Sequence, residues 1–93
     1  MPPAATAAFT NEQIVQALAQ HARWLRDDAA GKQADFARSD LTGRNFSGVN
    51  LSKARMVGAI CVKVNFEKSL LSGVDFFGAD LSGANLGSAY WPP

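Results

Sequence analysis

Two side chains of this sequence, His21 and Cys61, belong to the types that most often act as a base or a nucleophile, and each is the only one of its kind. A catalytic histidine needs a nucleophile and an orienting acid nearby, and a reactive cysteine needs a lowered thiol pKa. His21 lies at helical spacing from several apolar residues, which favours a histidine that is packed against other side chains. Cys61 occupies a position that is otherwise large and apolar, which favours a small core residue over a redox or nucleophilic thiol.

Other reactive groupings are absent from the sequence. One histidine and one cysteine do not make a metal-ligand set, and the adjacent carboxylates of Asp27 and Asp28 fall at a helix end that is expected to be exposed. The sequence has no phosphate-binding glycine loop, no GxGxxG, no CxxC and no HExxH motif. We therefore expect no catalytic, cofactor-binding or metal site, and we expect that the protein is not an enzyme.

The chain from Ala34 to Trp91 repeats with a period of five residues, and this repeat must position Cys61. The first place of each unit is mostly small, the second is mostly Asp or Asn, and many units close in Gly. The third place holds a large apolar residue or cysteine in every unit: Phe36, Leu41, Phe46, Leu51, Met56, Cys61, Phe66, Leu71, Phe76, Leu81, Leu86 and Trp91. Repetition at a fixed spacing indicates a repeat architecture.

A period of five matches neither an α-helix, with 3.6 residues per turn, nor a β-strand, which alternates every two residues. Each unit is therefore expected to form one side of a polygon, with its first and third residues inside and a turn where it closes. Glycine at the closing place, as in Gly43 and Gly78, suits a corner with unusual dihedral angles.

The units ADLSG, ANLGS and VDFFG resemble those of the pentapeptide repeat family. The resemblance covers residues 34–91 and implies a β-solenoid, namely a right-handed quadrilateral β-helix with four units per coil. Residues twenty apart then stack about 4.8 Å apart, and residues 34–93 make just under three coils. The interior columns expected from this arrangement are Phe36/Met56/Phe76, Leu41/Cys61/Leu81, Phe46/Phe66/Leu86 and Leu51/Leu71/Trp91.

The segment before the repeat divides into an arm and a helix. Residues 1–9 are rich in Pro and Ala and have no amphipathic pattern, so we expect a mobile arm there. Thr10 begins a capping-box pattern, and the apolar stripe predicts a helix from Thr10 to about Ala30, with Gly31 as the residue that ends it. Residues 10–33 then comprise one N-terminal α-helix and its connection to the repeat.

This helix is expected to cap the first coil. The open end of a solenoid exposes apolar core and unpaired backbone groups, so it needs a lid. We expect Trp24 and Leu25 to lie over the first coil, with His21 packed on it. Arg44 occupies a first place that is otherwise small or Val, and a guanidinium cannot be buried unpaired. Either the register bends there, or Arg44 leans to the cap and meets an acid or a carbonyl at the C-terminal end of the helix.

Charge and composition limit the partners and the compartment. The net charge is +1 and charges of both signs are interspersed, so we expect no nucleic acid partner. No apolar run approaches the ~20 residues of a membrane span, and the first residues lack a signal-peptide pattern. A single cysteine fits a reducing compartment. We therefore expect a cytoplasmic protein that does not bind membranes.

Several outward places carry apolar residues where polar ones are usual. Val57 and Phe77 occupy the same place twenty residues apart, Ile60 and Val62 lie around the adjacent corner, and an aromatic pair closes the last coil. A contiguous apolar patch marks a binding surface. The alternative is that another segment, such as residues 1–9, covers it. The predicted interaction patch comprises two surfaces, namely the apolar side formed by Val57, Ile60, Val62 and Phe77, and the end of the last coil with Tyr90 and Trp91.

These features favour a non-catalytic protein–protein interaction or oligomerisation module that forms a homodimer through its last coil or its apolar side. One form of this hypothesis is the N-terminal domain of a larger bacterial signalling or regulatory protein. The sequence does not identify the protein partner. The resemblance supplies an alternative, because some pentapeptide repeat proteins mimic DNA and inhibit topoisomerases such as gyrase. The repeat, however, carries six basic residues against five acidic ones, which is a poor imitation of phosphates.

Overall fold

The five-residue period organises the structure, a computed structural model that describes residues 7–91. Three short elements lie towards its N-terminal end: β1 (Ala7–Ala8), helix α1 (Asn11–Leu25) and β2 (Ser39–Asp40). From residue 34 onwards the chain is held by parallel bridges between single residues that are twenty apart in the sequence. The spacing of twenty residues predicted for stacked positions is therefore confirmed. The bridges of the first repeat segment are Asp35 with Arg55, Asp40 with Ile60, Asn45 with Asn65 and Asn50 with Leu70.

Two expectations fall partly outside the described residues. The mobile arm includes residues 1–6, and the repeat segment 34–93 includes residues 92–93, and neither of these pieces is described. Within residues 7–91, no helix is long and apolar enough to cross a membrane.

Successive twenty-residue segments are joined by a regular ladder of backbone hydrogen bonds. We call residues 34–53 the first level, residues 54–73 the second level and residues 74–91 the third level. The Phe36 N–H donates to the Arg55 carbonyl of the next level at 2.8 Å, and the equivalent bond recurs in each unit of the first two levels. Each level is therefore hydrogen-bonded through its backbone to the next level.

The third place of each unit fills the interior. The seven residues at this place from Phe36 to Phe66 are completely shielded from solvent. The rings of Phe46 and Phe66 stack on each other across two levels, with centroids 5.7 Å apart. In the third level the same place is half-buried or exposed, because no further level within residues 7–91 covers it. Burial of these side chains is the main stabilising contribution, at roughly 1.5–3 kcal/mol for each large one.

Asp and Asn recur at the second place because each caps the turn of its own unit. The Asn45 Oδ1 accepts a hydrogen bond from the Ser47 N–H at 2.9 Å, and all eight Asp and Asn residues at this place make the equivalent bond. The fifth place then has a positive φ, which is 73° at Gly43 and 64° at Lys53. Glycine adopts this conformation without steric cost, which accounts for its frequency at the end of a unit.

Residues 7–9 are not part of a mobile arm as the sequence predicts. β1 pairs in parallel with β2, with Ala8 opposite Asp40. This register gives Phe9 the position of a third-place residue, and its ring meets that of Phe36 edge-on with centroids 5.1 Å apart. These three residues therefore begin a partial unit on top of the first level.

Helix α1 begins as predicted and ends earlier than predicted. Thr10 is the N-cap, and its capping box with Gln13 is complete. The helix ends at Leu25 instead of near Ala30, because Asp27 takes a positive φ of 58° and turns the chain back.

Gly31 has a different role from the predicted one of ending the helix. The chain returns along the last turns of α1, where the Lys32 N–H donates to the Gln20 carbonyl at 3.0 Å. A β-carbon on Gly31 would lie 2.1 Å from the Trp24 backbone nitrogen. Glycine is required here because two stretches of backbone approach closely.

Candidate interaction surfaces

His21 fastens α1 to the repeat. Its ring is fully shielded from solvent, Nδ1 accepts a hydrogen bond from the Ala34 N–H at 3.0 Å, and Nε2 lies 2.9 Å from the Ser52 carbonyl. Because Nδ1 accepts, the proton of the neutral ring is on Nε2, which donates to Ser52. The ring also stacks on that of Trp24, with centroids 5.4 Å apart. His21 therefore joins the helix to the first and the last unit of the first level.

The protonation state of His21 follows from this position. Burial lowers the pKa of His21 below its ordinary value of 6.5, although the hydrogen bond to Ser52 opposes the shift. A protonated ring could not accept the Ala34 N–H. The folded state therefore keeps the ring neutral at a pH where the unfolded chain has already taken up a proton.

We expect the free energy of unfolding to fall as the pH is lowered from about 7 to about 5, because the unfolded state binds more protons over this range. His21 is the only histidine in the chain, so a His21→Gln variant should show a flatter profile. Urea denaturation at a series of pH values measures both proteins. An equal pH dependence in the variant would contradict the assignment of the effect to His21.

The thiol of Cys61 is enclosed in the second level. The residue has no exposed surface, and burial raises the pKa of Cys61 to about 11, with the charge of Asp80 adding to the shift. Because the thiolate is the reactive form, this thiol is unreactive at neutral pH. Within residues 7–91, no group of three or more His, Cys, Asp or Glu side chains is placed to hold a metal ion.

The cap contacts the first level through the predicted apolar stripe of α1, but through the middle of the helix instead of its C-terminal end. Ile14 is buried in the core, and Ala17 and Leu18 pack against it while remaining half-buried. The sequence predicts Trp24 and Leu25 over the first level, but both are half-buried and neither belongs to the core cluster. The helix is shorter than predicted, so its middle lies over the interior and its last turn lies at the margin.

Arg44 holds the N-terminal end of α1. Its guanidinium donates to the Phe9 carbonyl at 2.6 Å and also to the side-chain oxygen of Asn11. The side chain is half-buried, so the charge keeps part of its hydration. The sequence leaves two alternatives for Arg44, and the structure shows the one in which the side chain points towards the cap. Its partners are a carbonyl and an amide before and at the start of the helix, and neither an acid nor a C-terminal carbonyl.

The apolar side of the predicted interaction patch consists of Phe77, Val57, Ile60 and Val62. Phe77 is 81% exposed and lies in the same column as Val57, since the Gly58 N–H donates to the Phe77 carbonyl. Val57, Ile60 and Val62 are each half-buried. This part of the patch is therefore a narrow column with one prominent ring.

The other two residues of the patch belong to different places. Tyr90 is bridged to Leu70 in a second exposed column, and the two are 58% and 42% exposed. Trp91 stacks on Phe76 at the end of the solenoid, with centroids 5.3 Å apart. The predicted patch omits Leu70, although its place twenty residues before Tyr90 identifies it. It also omits Leu86, which is 39% exposed and occupies a place that is interior in the other levels.

The third level presents what we call the end face, which consists of Phe76, Leu81, Leu86 and Trp91 and the backbone groups around them. In the second level, the Met56 N–H donates to the Asp75 carbonyl of the third level at 2.9 Å. The equivalent N–H groups of Phe76, Leu81 and Leu86 have no backbone partner within residues 7–91. The end face therefore combines apolar side chains with backbone donors that are ready for a further strand.

A stack of five-residue units, each with its third residue inside, defines a class of β-solenoid proteins. The family model described as pentapeptide repeats matches residues 34–73 and 63–90, in eight copies. These segments cover more than half of the chain, and the chain belongs to the pentapeptide repeat family. No curated protein matches it.

Proposed function

We propose that this pentapeptide repeat protein is a non-catalytic module for protein–protein interaction and oligomerisation. The observation that carries the proposal is the end face, where apolar side chains lie beside backbone donors and acceptors that pair with a neighbouring level elsewhere in the solenoid. An edge of this kind recruits a partner strand unless it is covered. The absence of catalysis is supported by the enclosed thiol of Cys61 and by His21, whose two ring nitrogens are both engaged.

The geometry we propose for the solenoid is right-handed and four-sided. Stacked residues lie twenty apart, and a residue with positive φ closes most of the five-residue units, which supports four corners in each level. The hand is the one implied by the family. A crystal structure of the chain tests both features directly.

A second copy of the chain is the partner that best fits the end face. The Asp75 N–H donates to the Ala54 carbonyl of the second level, and the Asp75 carbonyl accepts from the Met56 N–H. The backbone groups on either side of Asp75, which are the Val74 carbonyl and the Phe76 N–H, therefore point out of the end face. A copy related by a two-fold axis presents the same two groups in the antiparallel direction. The donor of each copy then meets the acceptor of the other, and the apolar residues meet at the centre.

We expect Trp91→Arg to abolish the dimer and Phe77→Asp to leave it intact. The first change places a charge in the centre of the end face, whereas the second changes a ring that is 81% exposed on a different surface. Sedimentation velocity of both variants beside the parent protein, at high micromolar concentration, measures the effect.

The opposite pattern would assign dimerisation to the column of Val57 and Phe77. A parent chain that stays monomeric in the same experiment would remove the homodimer from the proposal. Both variants lie on exposed surfaces, so thermal unfolding should show that each remains folded.

We place the module in the bacterial cytoplasm, as part of a larger signalling or regulatory protein, because its apolar surfaces suit association and its one cysteine needs no oxidising compartment. The alternative, a DNA-mimicking gyrase inhibitor, requires an acidic surface. Here the exposed ladder alternates in sign, with Asp35 and Arg55 paired at 3.7 Å. We expect no change in supercoiling when the protein is added to gyrase, and inhibition would favour the alternative.

A further inference from the structure

Within residues 7–91, the N-terminal end of the solenoid has an open backbone edge beside the cap. In the second level, both the N–H and the carbonyl of Arg55 bond to the first level. The equivalent groups of Asp35 have no backbone partner within residues 7–91, and the Ala37 carbonyl accepts only a 3.4 Å bond from the Ser39 hydroxyl. We call residues 35–37 the open edge.

The unit next to the open edge shows that this end of the solenoid accepts an added strand. β1 lies along β2 in parallel, in the register that the levels themselves use. The unit at residues 34–38 offers the same backbone groups, and within residues 7–91 no strand lies on it. Addition of a strand to such an edge is a common way for proteins to bind extended peptides.

Two adjoining hollows run along the open edge. One has a volume of about 280 Å³, lies between α1 and the edge, and has an apolar lining from Phe9, Ala17 and Ala34. The other has a volume of about 470 Å³ and continues past Phe9 to Arg38. Amide side chains can donate and accept hydrogen bonds with an extended backbone. The wall of the first hollow on α1 carries three of them, which are Gln13, Gln16 and Gln20.

The charges around these hollows are mostly positive. Lys32, Arg38 and Arg55 line them, against Asp35 as the one acid among the lining residues. Asp35 is paired with Arg55, and within residues 7–91 neither Lys32 nor Arg38 has an ion pair. The excess of positive charge favours a partner with acidic side chains.

We infer that the open edge binds an extended, acidic peptide segment of another protein as an added parallel strand. In the register of the levels, the first carbonyl of the peptide accepts from the Asp35 N–H, and its third N–H donates to the Asp35 carbonyl. Its fifth N–H donates to the Ala37 carbonyl. The third side chain then faces the apolar lining at Ala17. The second side chain stacks on Asp35 and is therefore best uncharged, whereas an acidic side chain at the fourth position lies beside Arg38. This surface is at the opposite end from the end face and does not depend on dimerisation.

The probe for this inference is the blocked peptide acetyl-Ala-Asn-Leu-Glu-Gly-amide, added to the full chain labelled with nitrogen-15. We expect the backbone amide signals of Asp35, Ala37 and Arg38 to shift and to saturate at millimolar peptide. A peptide with proline at its third position lacks the N–H that the Asp35 carbonyl requires, and it should bind about tenfold more weakly. A peptide with lysine in place of the glutamate should also bind more weakly, and salt should reduce the difference.

Two matched variants of the protein test the role of charge. Arg38 and Lys63 both have positive φ, 59° and 58°, so glycine fits either position without strain. We expect Arg38→Gly to weaken binding of the acidic peptide several-fold and Lys63→Gly to leave it unchanged. Equal binding of the proline peptide, or shifts at Leu86 and Trp91 instead of the open edge, would overturn the inference. Binding that requires removal of residues 1–6 would also overturn it, because the edge would then belong to the chain itself.

Discussion

Replacing Phe66 by alanine is expected to lower the free energy of unfolding by about 3–5 kcal/mol. The ring has no exposed surface, stacks on Phe46 at 5.7 Å and meets the edge of Phe76 at 5.9 Å, so its removal leaves a cavity between two levels. Small domains are stable by only about 5–15 kcal/mol, so this loss is a large fraction of the total stability. Urea denaturation followed by circular dichroism gives the change.

The neighbouring residue supplies the control for this experiment. Glu67 follows Phe66 in the same unit, is exposed, and has no side-chain hydrogen bond or ion pair within residues 7–91. Glu67→Ala should therefore change the free energy of unfolding by less than about 0.5 kcal/mol. Similar losses in the two variants would mean that the third place of the unit is not the interior place.

Replacing His21 by alanine is expected to cost about 2–5 kcal/mol, because it leaves the Ala34 N–H and the Ser52 carbonyl without their partner. Each unsatisfied buried group costs about 1–3 kcal/mol. The change also removes the ring on which Trp24 stacks. The expected result is a lower urea midpoint together with faster hydrogen exchange in α1, since the helix loses its attachment to the first level.

Gln20→Ala is the matched control for the His21 variant. Gln20 precedes His21 on the same helix, is exposed, and uses only its backbone carbonyl to hold Lys32. Its replacement should leave both the urea midpoint and hydrogen exchange in α1 nearly unchanged. If His21→Ala behaves like Gln20→Ala, the histidine does not fasten the cap.

The repeat could be predicted from the sequence because the place of a residue in its unit decides its surroundings. Phe36 and Phe66 have different neighbours in the sequence, yet both occupy a third place and both are fully buried. The recurrence of Asp and Asn at the second place is equally local, since Asn45 caps the turn of its own unit. A local rule that is repeated many times leaves little for tertiary contacts to override.

The cap could not be predicted in the same detail, because nothing there repeats. The sequence Ala-Ala-Phe at residues 7–9 is one partial unit, and a single unit has no period that would reveal it. The end of α1 depends on Asp27, a residue type that adopts a positive φ only in some contexts. The partners of Arg44 and the exposure of Leu86 depend on which other segments lie over them, so no local pattern reports either.

The twenty-residue ladder restricts how the length of this protein can change. A level inserted between Lys53 and Ala54 would form backbone hydrogen bonds with the first level on one side and with the second level on the other. It could do so because the same backbone N–H and carbonyl groups join every pair of successive levels. The molecule would grow by about 4.8 Å, and the cap and the end face would keep their mutual orientation. An insertion that is not a multiple of five would bring polar residues into the interior. Only an insertion of whole levels therefore keeps both the interior places and the orientation of the two ends, which makes the repeat a spacer whose length changes in fixed increments.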